Sequence, residues 1–135
     1  MAMKFKDVEK FVMALPDVEA GISWGTPTYS VGKKSIAWHR PFTKADLKRF
    51  GDETPPQGEI LAVRVENLDE KDALLAMELP GFFTIQHFNG FPAVLIELRK
   101  ARAKDVRTAL TEAHRVALAA RKPKRTSAAR QRRRS

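Results

Sequence analysis

Phe5, Val8, Val12 and Leu15 recur at three- and four-residue steps with Phe11 beside them, while Lys4, Lys6, Asp7, Glu9 and Lys10 fall on the other side. That spacing predicts an amphipathic helix over 4–15. Pro16 ends it, because its ring cannot continue a helical hydrogen-bond ladder. Val18 to Trp24 reads as a short strand closed by the turn formers Gly25 and Pro27. Thr28 to Val31 and Ser35 to Arg40 then flank Gly32-Lys33-Lys34, the pattern of a hairpin.

The pattern weakens from Pro41 to Gly58. Thr43 is suited to cap a short helical turn beginning at Lys44, and Pro55-Pro56-Gln57-Gly58 reads as an exposed loop. Ile60 to Val65 is a strand. Asn67 then caps a helix with Glu70 at the capping-box position, and Ala73, Leu74 and Met77 form its expected buried side. After Pro80-Gly81, the runs Phe82 to Phe88 and Phe91 to Leu98 surround Asn89-Gly90, a strong hairpin signal. Ala93-Val94-Leu95-Ile96 is apolar at every position, as a strand buried on both faces would be, and Pro92 belongs at its start because proline has no N–H to pair. The longest helix spans Ala103 to about Ala120, with Val106, Ala109, Leu110, Ala113, Ala117 and Ala120 along one narrow stripe. Short turns between neighbouring strands, with helices at both ends of the chain, predict a single α+β domain over 1–121: an antiparallel sheet with those helices packed on one face.

Composition changes this picture at one place. The net charge is +9, which suggests nucleic acid until it is located. Arg121, Lys122, Lys124, Arg125, Arg130, Arg132, Arg133 and Arg134 lie in the last fifteen residues with no acid among them. Residues 1–120 hold 17 basic against 16 acidic side chains, so the body is nearly neutral. Beyond Pro123 nothing is periodic, and a segment of Ser, Ala, Gln and Arg cannot bury enough apolar surface to offset its ordering entropy. Disorder is expected over 122–135. There is no cysteine, which excludes disulfides, thiolate metal sites and cysteine nucleophiles. No stretch approaches the ~20 apolar residues of a membrane helix, and no apolar run follows the first lysines, so a cytoplasmic protein without membrane contact is expected.

Candidate chemistry is sparse. His39, His87 and His114 lack the helical or short-loop spacing of a metal site, so no metal is expected. Glu66, Asp69, Glu70 and Asp72 cluster at a helix start, where carboxylates complement the macrodipole. Glu97 follows an apolar strand, and its expected place is the solvated face. It would matter chemically only if it met His39 and His87 in one pocket. There is no Gly-x-Ser-x-Gly and no P-loop. No catalytic residue and no cofactor are expected, and the chain reads as a binding protein, not an enzyme. Lys33, Lys34 and Arg40 stand near Tyr29 and Trp38 in the first hairpin, and cations interleaved with aromatic rings can hold bases. Together with the eight basic residues of the terminus, they form the candidate nucleic-acid contact, non-specific and directed at phosphate. The alternative is an adaptor that takes a peptide or protein segment on a sheet face or edge.

Leu15-Pro16, Trp24-Gly25-Thr26-Pro27-Thr28-Tyr29, Val31-Gly32-Lys33-Lys34 and Leu79-Pro80-Gly81, in that order and followed by a strand and a long helix, resemble the MmcQ/YjbR-like proteins over about residues 4–120. The resemblance implies a frataxin-like α+β sheet and DNA binding through a double-wing arrangement of hairpins. Lys33 and Lys34 match the Gly-Lys turn and would be wing residues. The resemblance supplies no catalytic residues.

Overall fold

The computed structural model describes residues 3–23, 25–51, 58–85 and 88–121. Trp24, His87, most of the expected Pro55–Gly58 loop and the basic residues Lys122, Lys124, Arg125, Arg130, Arg132, Arg133 and Arg134 lie outside them, as does the disorder expected of that terminus.

The chain runs α1 (Phe5–Met13), β1 (Val18–Ser23), β2 (Thr26–Val31), β3 (Lys34–His39), α2 (Lys44–Phe50), β4 (Ile60–Arg64), α3 (Leu68–Ala76), β5 (Phe82–Phe83), β6 (Ala93–Glu97) and α4 (Ala103–Arg121). Among the described residues the strands form one antiparallel sheet in the order β1-β2-β3-β4-β6-β5. The molecule is a single α+β domain. The predicted caps are present: Thr43 Oγ1 accepts from the Asp46 N–H at 3.1 Å, and Asn67 Oδ1 accepts from the Glu70 N–H at 2.8 Å.

Alternation along the strands separates two faces. Ala20, Tyr29, Ala37, Val63 and Val94 pair across neighbouring strands on one of them. Here Val8 and Val12 of α1 and Val106, Leu110, Ala113 and Ala117 of α4 bury the main core, as the helical stripes require. The next row, Gly21–Thr28–Trp38–Ala62–Leu95–Phe83, faces the other way. Over β4, β6 and β5 this second face is covered by Phe42, Ile85, Phe88 and Phe91. Over β1 and β2 it presents Glu19, Gly21, Ser23, Thr26, Thr28 and Ser30, which include no large apolar side chain. That half of the sheet stays open.

Five expectations are corrected. The run from Phe82 does not continue as a strand to Phe88; β5 is two residues long, and the chain leaves the sheet so that Phe88 can fold over it. Asn89-Gly90 is a tight turn closed by Phe91 N–H donating to the Phe88 carbonyl at 3.0 Å, with Gly90 at φ +78°, but it joins no paired strands. On α3, Ala73 and Met77 are exposed while Lys71 is 4% exposed. Glu97 is buried at the end of β6, where Arg99 Nε donates to its carboxylate at 2.8 Å, because its place opposite Ile60 puts it on the covered second face. Lys34 belongs to β3, so the first hairpin turns on Gly32 and Lys33 alone.

Tyr29 offers a check on the packing of the helix-covered face. It is the one tyrosine of the chain, 1% exposed, and its hydroxyl has no hydrogen-bond partner among the described residues. Burial, and then the Glu9 carboxylate, push its pKa up to about 12. The folded state therefore holds this proton through a window in which the unfolded chain has lost it, so stability should fall as pH rises from about 10 toward 12. Ultraviolet titration of the phenolate should show no step near 10. A step there in folded protein would mean that Tyr29 is solvated.

Candidate ligand-binding cleft

The step between the covered and open halves of the second face is a cleft of about 670 Å³. Ser23, Thr26, Thr28 and Ser35 line its sheet side, and Trp38, Phe88 and Phe91 form the aromatic side. Phe88 and Phe91 meet edge to face at 5.5 Å, and the Trp38 ring is 6.2 Å from Phe91. Each of the two phenylalanines carries an arginine: Arg40 lies over Phe88 at 5.5 Å and Arg64 over Phe91 at 5.2 Å.

These two cations differ. Arg40 donates to the Asp46 carboxylate at 2.9 Å and to its neighbour's carbonyl, that of Pro41, at 2.6 Å. Burial alone would raise the Asp46 pKa, but the Thr43 N–H and the Arg40 guanidinium outweigh it and hold the carboxyl below its usual range. Arg40 is thus a neutralised strut. Arg64 ends β4 on the same face as Ile60 and Ala62. Its Nε donates to the Ser35 carbonyl at 2.9 Å, and no carboxylate of the described residues lies within 4 Å of it. Burial pushes its pKa down from the ordinary arginine range, as expected of a cation placed in a half-buried site without a counter-ion.

The aromatic wall is fixed from below. Lys71 of α3 donates from Nζ to the carbonyls of Phe88 at 2.6 Å and Phe91 at 2.9 Å. Its ammonium therefore clamps both ends of the Asn89-Gly90 turn. Burial lowers its pKa, with Asp72 opposing.

The residues singled out from sequence are not brought together. Lys33 and Lys34 are exposed at one end of β3 and Arg40 follows its other end, roughly 20 Å away at the rise of an extended strand. Tyr29 is buried on the opposite face and takes no part in a stacking surface; of that group, Trp38 and Arg40 reach the cleft. Arg121 closes α4. His39 borders the cleft, but it shares a row with Leu61 and Ile96 on the helix-covered face, edge-on to Phe5 at 4.9 Å, whereas Glu97 lies on the other face. His114 sits on α4 with Nε2 2.7 Å from the Pro16 carbonyl. Among the described residues no three His, Asp or Glu side chains converge as metal ligands. The Phe82–Phe91 aromatic group is a sequence candidate for stacking, and its Phe88 and Phe91 do reach the cleft; Arg64 and Lys71 were not singled out. The available signal was Arg64 itself, an arginine in phase with the inward positions of Ile60-Leu61-Ala62-Val63.

Over 112 residues the chain is 41% identical to an uncharacterized protein of Mycobacterium tuberculosis, Rv2570, covering 79% of this chain and 82% of that one. Uncharacterized protein Mb2600 of Mycobacterium bovis matches to the same extent. The chain belongs to this mycobacterial protein family. No family model matches it, and no solved structure does. The members named here carry no stated activity, so the chemistry of the family's fold has to be read from the cleft. No helix among the described residues is long and apolar enough to cross a membrane.

Proposed function

We propose that this chain is a cytoplasmic, non-enzymatic, nucleic-acid-associated binding module of the MmcQ/YjbR-like type, and that its folded domain makes contact through the cleft on the open sheet face. The observation that carries this reading is Arg64: a guanidinium held by the Ser35 carbonyl, laid over Phe91 and lacking a carboxylate partner among the described residues. A cation positioned this way attracts an anion, and the rings beside it accept the flat face of a base. Lys33, Lys34 and the basic residues from Arg121 onward add phosphate contacts without sequence preference.

Single-strand binding by the full chain should weaken with salt, and Arg64→Met should reduce the log–log slope by about 0.7, the value for one phosphate on a single strand. Anisotropy titrations of a labelled strand between about 50 and 200 mM salt measure this. An unchanged slope in Arg64→Met, with loss on replacing Lys33 and Lys34, would move the contact from the cleft to the hairpin.

One further observation supports the adaptor reading. Strand β1 is a sheet edge whose Glu19 to Ser23 are exposed, with Ile22 at 73%, and among the described residues no strand pairs with its outer side, so that side can accept an added strand. That reading requires the β1 amides to become protected from exchange when a peptide partner binds. Unaltered exchange would exclude it.

A further inference from the structure

Three kinds of group line the cleft, and they are not interchangeable. At one end is a single available cation. Arg40 is occupied by Asp46 and the Pro41 carbonyl, whereas Arg64 uses only Nε, leaving its terminal nitrogens without a partner among the described residues. Those nitrogens suit the two oxygens of a phosphate or carboxylate. In the middle are Trp38 and Phe91, against which a flat ring can lie. On the sheet side are two threonine hydroxyls whose protons are already committed. Thr26 Oγ1 donates to the Ser23 carbonyl at 3.0 Å, and Thr28 Oγ1 to the Thr26 carbonyl at 3.2 Å. What they present to the cleft is lone pairs, so the ligand group that meets them has to be a donor.

A polymer track would need a row of cations, and the cleft has one that is free of acids. Its volume of about 670 Å³ falls within the range of roughly 300–1,000 Å³ typical of small-ligand sites. We propose that the cleft is a site for a planar heterocycle carrying an anionic group at one end and a hydrogen-bond donor at the other, of the size of a nucleoside monophosphate. The phosphate meets Arg64, the ring lies against Trp38 and Phe91, and an amino or hydroxyl group donates to Thr26 and Thr28. The inference rests on the cleft being the contact surface of the domain. The same chemistry is offered by a free nucleotide and by the terminal unit of a strand.

Isothermal titration of the full chain with adenosine 5′-monophosphate, adenosine, inorganic phosphate and a 5′-phosphorylated adenylate strand tests this. The monophosphate should bind at least about tenfold more tightly than adenosine or phosphate alone, since each of those lacks one of the two main contacts. Arg64→Met should bring it down to the level of adenosine. Trp38→Leu provides an independent test if the arginine variant does not fold, and should also cost about tenfold. Equal affinity for monophosphate and strand supports a free nucleotide as ligand; tighter binding of the strand supports a strand terminus. If the monophosphate is no better than its two parts while the strand still binds through Arg64, the ring-plus-anion inference fails and the cleft reading stands. If Arg64→Met alters neither, both fail.

Discussion

Replacing Gly81 by alanine should destabilise the domain by about 3 kcal/mol or more, enough to lower the thermal midpoint by roughly 10 °C. Two effects combine. Gly81 has φ +83°, a conformation costly for a residue with a Cβ. A Cβ there would also lie 2.7 Å from the Glu97 carbonyl oxygen, 2.8 Å from the Ala101 amide nitrogen and 3.0 Å from the Ala101 Cβ. None of these can move independently. The Glu97 carbonyl accepts from the Lys100 and Ala101 N–H groups, Glu97 N–H donates to the Gly81 carbonyl at 2.7 Å, and Ala101 is 2% exposed in the core. With total stabilities of about 5–15 kcal/mol, such a loss leaves a marginal protein. Gly21→Ala is the control. It sits on the edge strand without positive φ and with nothing within 4 Å of a new Cβ, so it should stay within about 0.5 kcal/mol. Similar thermal midpoints for the two variants would show that the strand-to-helix corner is looser than described.

Removing the buried ammonium has a different signature. Lys71→Met keeps much of the side-chain length while deleting both donors to the Phe88 and Phe91 carbonyls. Each carbonyl keeps one backbone partner, from Phe91 N–H and Ala93 N–H respectively. The cost is therefore that of two charge-assisted bonds less the desolvation of the ammonium, about 1–3 kcal/mol net. The loss should be concentrated in the turn that bears the aromatic wall. Hydrogen exchange at the Phe91 N–H should accelerate by about tenfold or more, while exchange in β4 changes only as far as global stability does. Ligand affinity should fall with it, although Lys71 itself lies beneath the wall. Unchanged exchange at Phe91 would mean that the turn is held by its own hydrogen bonds and that Lys71 is incidental to the site.

The elements were largely legible because local signals and tertiary demands agree. The first helix ends at Met13, just short of Pro16, Thr43 and Asn67 cap the helices they precede, and the uniformly apolar run after Pro92 is a strand paired on both sides in the sheet. Legibility failed where burial and sequence pattern part company. Phe82 to Phe88 is apolar enough for a strand, but only Phe82 and Phe83 pair with β6, while Ile85 and Phe88 pack over the second face. Lys71 stands in a helix without an apolar stripe of its own, and no local rule marks a lysine that will be buried against carbonyls seventeen and twenty residues away. The cleft was the least legible feature. It arises from a register that sets small β1–β2 residues in the same rows as Trp38 and Ala62, and a register between strands is not written in either strand alone. The charge reading survives in altered form: the basic terminus is separable from a nearly neutral body, and within that body the cleft arginine, Arg64, which has no carboxylate partner among the described residues, matters more than the sum.

Chemical-shift mapping on uniformly labelled full-length protein, titrated with a single strand of about twelve nucleotides, tests whether the folded domain binds through the cleft. Perturbations should centre on Thr26, Thr28, Trp38, Arg64 and Phe91, with weaker ones at Lys33 and Lys34. Perturbations confined to Gly32, Lys33 and Lys34 and to residues beyond Arg121, with the cleft silent, would contradict it.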